Sequence, residues 1–419
     1  MTEEAIQRTV LPNGIRVISE KVSSVYSVAL GFWITAGSNN ETEEQNGLAH
    51  LLEHMTFKGT HTRTNFQIAN EIESLGGVIN AFTGKNITCY YVHLLHEHLA
   101  KGIEVLADLI QNATLSEEEL EKEKGVIIEE IRDVEDTPGD AIHDYFDRQV
   151  FPQHPLGRPI QGSVESVAAL TRVDLVDFMS QHYAANRLVV VATGNVDHAD
   201  LVELVAKTCS GIQRINLPDH NTPLPSIEKQ KQIWHRNINQ AHVILGRRIF
   251  PQSDPRRFHL ALLNTILSGG MTSRLFHNIR DRFGSVYEIY SFTDLYLESG
   301  VFGIYAGVET GKINAITELI YHELFDLRDN GIPEAELQKV KQQAKSSLVL
   351  SLENMYARMS RLAKMDIFEN HIFQIPELLQ IIDNISLDDL QALMTYLFQR
   401  DKFIETFFLP KNNHEDIRE

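Results

Sequence analysis

The sequence predicts an α+β protein of two tandem homologous domains, each a mostly antiparallel sheet packed with helices. Three observations carry this. The chain has 419 residues, too long for one ordinary core and suited to two domains of about 200 residues each. Strand-like runs and stretches of helical periodicity mix in both halves. The halves also echo each other. VALGFWI (28–34) returns as HVILGRRI (242–249), with Gly31 and Gly246 215 positions apart. LADLIQNATLSEEELEKEK (106–124) returns as LFDLRDNGIPEAELQKVKQ (324–342), with Leu120 and Leu337 217 positions apart. Two segments that agree to within two residues indicate a tandem duplication.

In chain order, GIRVISEKV (14–22) and VYSVALGFWITAG (25–37) have strand character, and GLAHLLEHMTFKGT (47–60) contains a helix with two histidines. Ser116 followed by Glu119 is a capping-box start for a long helix. RVDLVDFMSQHY (172–183) has helical periodicity, and NRLVVVATGNV (186–196) is a buried strand that ends at a glycine. NLPDHNTPLPSIEKQKQ (216–232) is rich in proline and polar residues and reads as a linker. It separates an N-terminal domain, 1–215, from a C-terminal domain, 233–419, in which ITELIYHELFDLRDN (316–330) is again helical.

Composition narrows the function. With 43% hydrophobic and 23% charged residues, the chain is globular. Its apolar runs, such as 188–192, are far shorter than the roughly 20 residues of a bilayer span, so no membrane is expected. A formal net charge of −19 argues against nucleic acid as a partner and favours basic peptides. MTEEAIQRTVLPNG (1–14) has neither a basic start nor an apolar h-region, so no secretory signal is read. Two cysteines, Cys89 and Cys209, are too few for a disulfide framework. The expected location is the cytoplasm.

The chemistry centres on HLLEH. On a helix, His50 and His54 stand i, i+4 on one face, so both imidazoles reach one ion. Glu53 lies beside that ion, where its carboxylate could accept a proton from a water. This is the H-x-x-E-H order of zinc peptidases. A catalytic zinc needs a third protein ligand and an open fourth position. SEEELEKEKGVIIEEIRDVEDTP (116–138) offers candidates: Glu123 and Glu130 are seven apart and share a helix face. Val126, Ile127 and Ile131 are expected to bury part of the helix around Glu130, and a carboxylate there needs a cation or a hydrogen-bond partner. Glu117, Glu118 and Glu121 read as a solvated face.

With these residues in place, HLLEHMTFKGT resembles the zinc helix of the pitrilysin/insulysin zinc peptidases. The chain is similar, over nearly its whole length, to the short branch that includes the mitochondrial processing peptidase and its bacterial relatives. The resemblance implies Glu130 as third zinc ligand, 76 positions after His54. Glu129 competes by adjacency, and Glu123 would support the site from behind the ligands. LSGGMTSRLFHNIRDRFGSVYEIYSF (267–292) resembles the family's glycine-rich loop and following helix, and Arg280 and Tyr287 match its R-x6-Y pair, which helps to hold the substrate carbonyl. GGVINAFTGKNITCYY (76–91) resembles the substrate-edge strand, where Asn80 and Ala81 would bind an extended peptide as an added strand. One departure is Asn86, which stands where relatives usually carry glutamate. The second half, shifted by the same offsets, has Thr265, Gly269 and Ser347 where ligands would fall, and so no metal site.

The resemblance implies a zinc-dependent endopeptidase with one Zn2+ per chain, acting on unfolded or extended peptides. Short family members form half of a clamp and pair into a chamber, so a homodimer is expected, with a heterodimer as the other option. The alternative function is a non-catalytic structural or peptide-binding subunit of a heterodimeric processing peptidase.

Overall fold

The computed structural model describes residues 6–216, 222–227, 230–369 and 371–411, so part of the expected linker lies outside the described residues. Eleven strands are described: β1 (Ile6–Val10), β2 (Arg16–Lys21), β3 (Ser27–Ile34), β4 (Val78–Thr83), β5 (Thr88–Leu95) and β6 (Leu188–Gly194) in the first sheet. The second sheet holds β7 (Lys231–Arg236), β8 (Ala241–Ile249), β9 (Val286–Leu295), β10 (Gly300–Val308) and β11 (Ile404–Pro410). The helices before the linker are α1 (Leu48–Thr56), α2 (Asn65–Glu73), α3 (Leu99–Asn112), α4 (Glu117–Asp136), α5 (Pro138–Val150), α6 (Val164–Ala169), α7 (Arg172–His182) and α8 (His198–Thr208). After it come α9 (Arg257–Ser268), α10 (Ile313–Asn330), α11 (Glu334–Ser351), α12 (Met355–Glu369), α13 (Ile375–Asn384) and α14 (Leu387–Leu397).

The sheets run β1-β2-β6-β3-β5-β4 and β7-β11-β8-β10-β9. With β1 set aside, the two orders are the same path, strand for strand, and each has one parallel pair, β2 with β6 and β7 with β11. All other pairs are antiparallel. Gly31 and Gly246, matched in the sequence, fall on the equivalent strands β3 and β8.

β3 is apolar without interruption because both of its faces are covered. Val28, Leu30, Phe32 and Ile34 enter one core with α1 and α3, while Ala29 and Trp33 enter a second core on the other face with Met355, Met359 and Leu362 of α12. In the second sheet, Phe302, Ile304 and Ala306 of β10 face the core of α9, α10 and α14, and Val301 and Tyr305 face Ile142 and Phe146 of α5. Each sheet is therefore the middle of three layers.

The two compact units are interleaved along the chain. One runs to Arg132, resumes at Arg158 up to the linker, and includes Leu350–Ile372; the other comprises Asp133–Gly157, the chain from the linker to Val349, and the segment from Phe373. A division at residue 215 thus describes the strands but not α5 and α12, since each half of the sequence lends one helix to the unit built on the other half's sheet. The glycines explain how. A Cβ on Gly31 would lie 2.8 Å from Met359 Sδ of α12, and a Cβ on Gly246 would lie 2.5 Å from Phe146 Cζ of α5. Absence of a side chain lets the helix residue seat on the sheet. The α12 helix is also pinned by charge: Asp366 pairs with Arg8 and Arg16 at 2.7 and 2.8 Å, and Glu20 with Arg358 at 2.9 Å.

Alanine at either glycine is expected to destabilise by about 1–3 kcal/mol through overpacking. Gly246→Ala should cost more than Gly31→Ala. Its Cβ would meet the backbone oxygen of Phe302 at 2.6 Å, whereas Gly31→Ala meets Trp33 Nε1 and the flexible end of Met359. Denaturant midpoints of the two variants check the order.

Candidate metal centre

The α1 helix is amphipathic in the plainest sense. Leu48, Leu51, Leu52 and Met55 are buried, and His50, Glu53 and His54 share the other face. Nothing in its first turn is a usual capping residue. Gly47, at φ 98°, makes the turn into the helix, in a left-handed conformation that favours glycine. Glu41, six positions earlier, supplies the cap: its carboxylate accepts from the backbone N–H of Gly47 at 3.0 Å and of Ala49 at 2.7 Å, and from Asn46 at 3.2 Å.

Burial outweighs these donors and pushes the Glu41 carboxyl up to about 7. A carboxyl raised above its unfolded value of 4.5 contributes stability that is present below that value and is lost as pH rises towards 7. Glu41 should therefore make the protein about 3 kcal/mol less stable above pH 7 than below pH 4.5. Glu41→Gln should flatten that slope, which melting temperatures across this pH range would show.

The α4 helix starts where the capping box places it, with Ser116 Oγ accepting from Glu119 N at 3.3 Å. Ile127 and Ile131 are buried, as expected, but Val126 is 45% exposed because it points off the face that packs on the core. The face that carries Ile127 also carries Glu123 and Glu130.

Donor atoms of His50, His54 and Glu130 lie within 4.8 Å of one another, the one such group among the described residues. His50 Nε2 and Glu130 Oε2 are 4.0 Å apart, too far for a hydrogen bond. His50 Nδ1 is buried with no hydrogen-bond partner among the described residues. Burial, with His54 adding to it, lowers His50 to about 4, so its imidazole is neutral at physiological pH. A neutral imidazole is the ligating form.

His54 Nδ1 meets Glu123 Oε2 at 3.2 Å, and Glu123 Oε1 meets Lys58 Nζ at 2.6 Å. An N–H donated from Nδ1 leaves Nε2 of His54 as the free lone pair. The residues present fit a divalent zinc: two imidazoles, one carboxylate with no cation bonded to it among the described residues, and a buried carboxylate that orients one of the imidazoles. Glu123 thus stands behind His54 and is not a member of the donor cluster. Glu129, the adjacent candidate, bonds Arg132 at 2.5 Å and is 68% exposed at its side chain.

Glu53 follows His50 by three positions on the same face. Burial raises its carboxyl, with the Thr83 hydroxyl and His54 opposing and Glu130 adding. Thr83 Oγ1 donates to Glu53 Oε2 at 2.5 Å. Thr83 ends β4, an edge strand of its sheet. Asn80 on that strand is exposed, and its Oδ1 accepts from Ala81 N at 2.8 Å. Asn86, in the turn that follows, is buried, a position where an uncharged side chain avoids the cost of an ionised glutamate.

Arg280 and Tyr287 belong to the other unit and are both exposed. Arg280 stacks over Phe276 at 4.8 Å, in a π-helical turn, Phe276–Asp281; such turns recur at functional sites. Thr83, Lys58 and Glu41 carry no local sequence signal, since each gains its role from a residue brought to it by the fold. Cys89 and Cys209 are buried and unpaired, and no helix among the described residues is long and apolar enough to cross a membrane.

Residues 16–164 match the family model described as insulinase, peptidase family M16, and residues 169–344 match the peptidase M16 inactive domain. An uncharacterized zinc protease of Streptomyces coelicolor is 36% identical over 395 residues, 93% of this chain and 86% of its own. YmxG of Bacillus subtilis, also called an uncharacterized zinc protease, is 35% identical over 396 residues, 94% of this chain and 96% of its own. A protease from Helicobacter pylori superposes with a TM-score of 0.91 at 24% identity, covering 97% of this chain and 100% of that one, which speaks for the fold.

Proposed function

From membership of the insulinase family, peptidase family M16, to which this chain belongs, we propose that it is a zinc-dependent endopeptidase that cleaves unfolded or extended peptides. The observation that carries the proposal is the junction of three metal-donor atoms with a fourth, non-ligating carboxylate, Glu53, held in place by a hydrogen bond.

His50, His54 and Glu130 would hold the ion, and Glu123 would fix the His54 tautomer. Zinc, when bound, supplies Lewis acidity towards water and the peptide carbonyl. Glu53 takes the proton from the attacking water and delivers it to the departing amine. The free edge of β4 at Asn80 and Ala81 receives the peptide as an added strand. The buried thiols suit a reducing compartment such as the cytoplasm.

The decisive experiment is cleavage of an unstructured basic peptide by zinc-loaded protein, with and without a chelator. Chelator-sensitive cleavage supports the proposal. A protein that binds zinc and the peptide but never cuts is the non-catalytic, peptide-binding subunit. That second reading has one finding in its favour, the match of residues 169–344 to a domain described as inactive.

We further propose that Arg280 and Tyr287 reach the substrate carbonyl from a second copy of the chain, in a homodimer with two sites. Two inactive variants, Glu53→Gln and Arg280→Ala, should then recover part of the activity when mixed under conditions of subunit exchange. Mixed dimers would contain one site with both intact groups. No recovery on mixing overturns the shared site.

A further inference from the structure

The β4 strand touches the candidate centre through its last residue. Thr83 pairs with Thr88 across the β4–β5 ladder. Thr88 Oγ1 is itself bonded to the Ala36 carbonyl at 3.0 Å, and Gly84 N closes the turn on Ile87 O at 2.8 Å. Thr83 therefore stands on a fixed backbone. A β-branched side chain also has few χ1 choices, so its hydroxyl has a fixed direction. That hydroxyl donates to Glu53 Oε2. Among the described residues no other donor is bonded to that carboxylate.

Glutamate ends in a torsion that is broad when nothing holds it. A base that must meet one proton at one place loses rate when its carboxylate swings, since small misplacements are costly. One hydrogen bond to one oxygen sets the plane of the group and leaves Oε1 as the oxygen free to take a proton.

We propose that Thr83 is the positioning residue of Glu53: it selects Oε1 as the working oxygen and ties the orientation of the base to the strand whose outer edge would receive the peptide. The proposal rests on the peptidase reading above for its kinetic consequence, but not for its structural one. Substrate laid along β4 and the base held by β4 then share one rigid reference, so alignment of the two is built into the sheet.

Two replacements separate the hydroxyl from its setting. Thr83→Val keeps the volume and the β-branch and removes the donor; Thr83→Ser keeps the donor and removes a methyl. Zinc-loaded crystal structures, zinc content, melting temperature, and kcat and KM on an unstructured peptide are compared with wild type. In Thr83→Val the Glu53 carboxylate should be rotated or split between conformers, with one zinc per chain retained. Its kcat should fall about tenfold or more with KM within about twofold, as expected for loss of a hydrogen bond to a charged group. Thr83→Ser should restore a single Glu53 conformer and most of kcat.

An unmoved Glu53 with unchanged kcat in Thr83→Val overturns the proposal. So does a raised KM with kcat intact, which would make Thr83 a substrate contact, and so does a serine variant as impaired as the valine one. If Thr83→Val does not fold, the serine variant decides alone: a displaced Glu53 despite a retained hydroxyl overturns the proposal, and a single unmoved conformer with most of kcat upholds it. If the wild type itself cleaves nothing, the peptidase reading falls, while the place of Glu53 in the valine variant still decides what Thr83 does.

Discussion

Glu53→Gln is expected to lower kcat on an unstructured peptide by about 10²–10⁴-fold and to leave zinc binding intact. The two halves of this result have separate causes. Glu53 is not one of the three residues whose donor atoms cluster, so removal of its charge takes no ligand away. Glutamine also keeps the volume of the side chain and an amide oxygen that accepts from Thr83, so α1 and β4 should stay as they are. The variant loses only the ability to accept a proton. Because that ability matters in the transition state and not in binding, KM should change little while kcat and kcat/KM fall together. A variant that cuts as fast as wild type would remove Glu53 as the base, and the mechanism with it. A variant that loses zinc would make Glu53 a ligand, which its 2.5 Å bond to Thr83 argues against.

The parts of this centre differ in how visible they are before folding. His50, Glu53 and His54 are legible because one helix turn brings them together, and the pattern of buried leucines between them fixes the face. The long helix of α4 is equally legible from its capping box and the i, i+7 spacing of Glu123 and Glu130. The duplication was readable from two short echoes, and the matching strand order of the two sheets extends it to the whole topology.

Local rules fail where a partner arrives from a distance. Glu41 caps α1 from six positions away, where the usual signal is a small polar residue at the cap itself. Thr83 reaches Glu53 across 30 positions, and Lys58 and His54 meet Glu123 across an even longer stretch of chain. The interleaving of the units was hidden for a related reason. A glycine in a strand reads as a weak point in the sequence, and only the packed sheet shows that Gly31 and Gly246 make room for Met359 and Phe146. Val126 shows the reverse error, since an apolar residue beside buried ones need not be on their face.

The carboxylates of α4 should separate cleanly when zinc affinity is measured by competition with a chelator. Glu130→Gln should lower affinity by more than about a hundredfold, Glu123→Gln by about 10–100-fold as expected for a residue behind the ligands, and Glu129→Gln not at all. The ordering follows from where each charge is already committed. Glu129 is solvated and paired with Arg132, so its charge is screened from the centre. Glu123 is buried, but Lys58 at 2.6 Å balances it, and its proposed part is to hold the His54 ring, 3.2 Å away, so that the other nitrogen is free. Glu130 alone among the three faces His50 with no cation bonded to it among the described residues. An imidazole that ligates through its lone pair gives a dication no charge, so an anionic ligand carries most of the electrostatic attraction, and glutamine in its place offers a dipole instead. A protein in which Glu129→Gln loses zinc and Glu130→Gln keeps it would have a different ligand set, and the 4.0 Å approach of Glu130 to His50 would then be an ordinary contact between two helices.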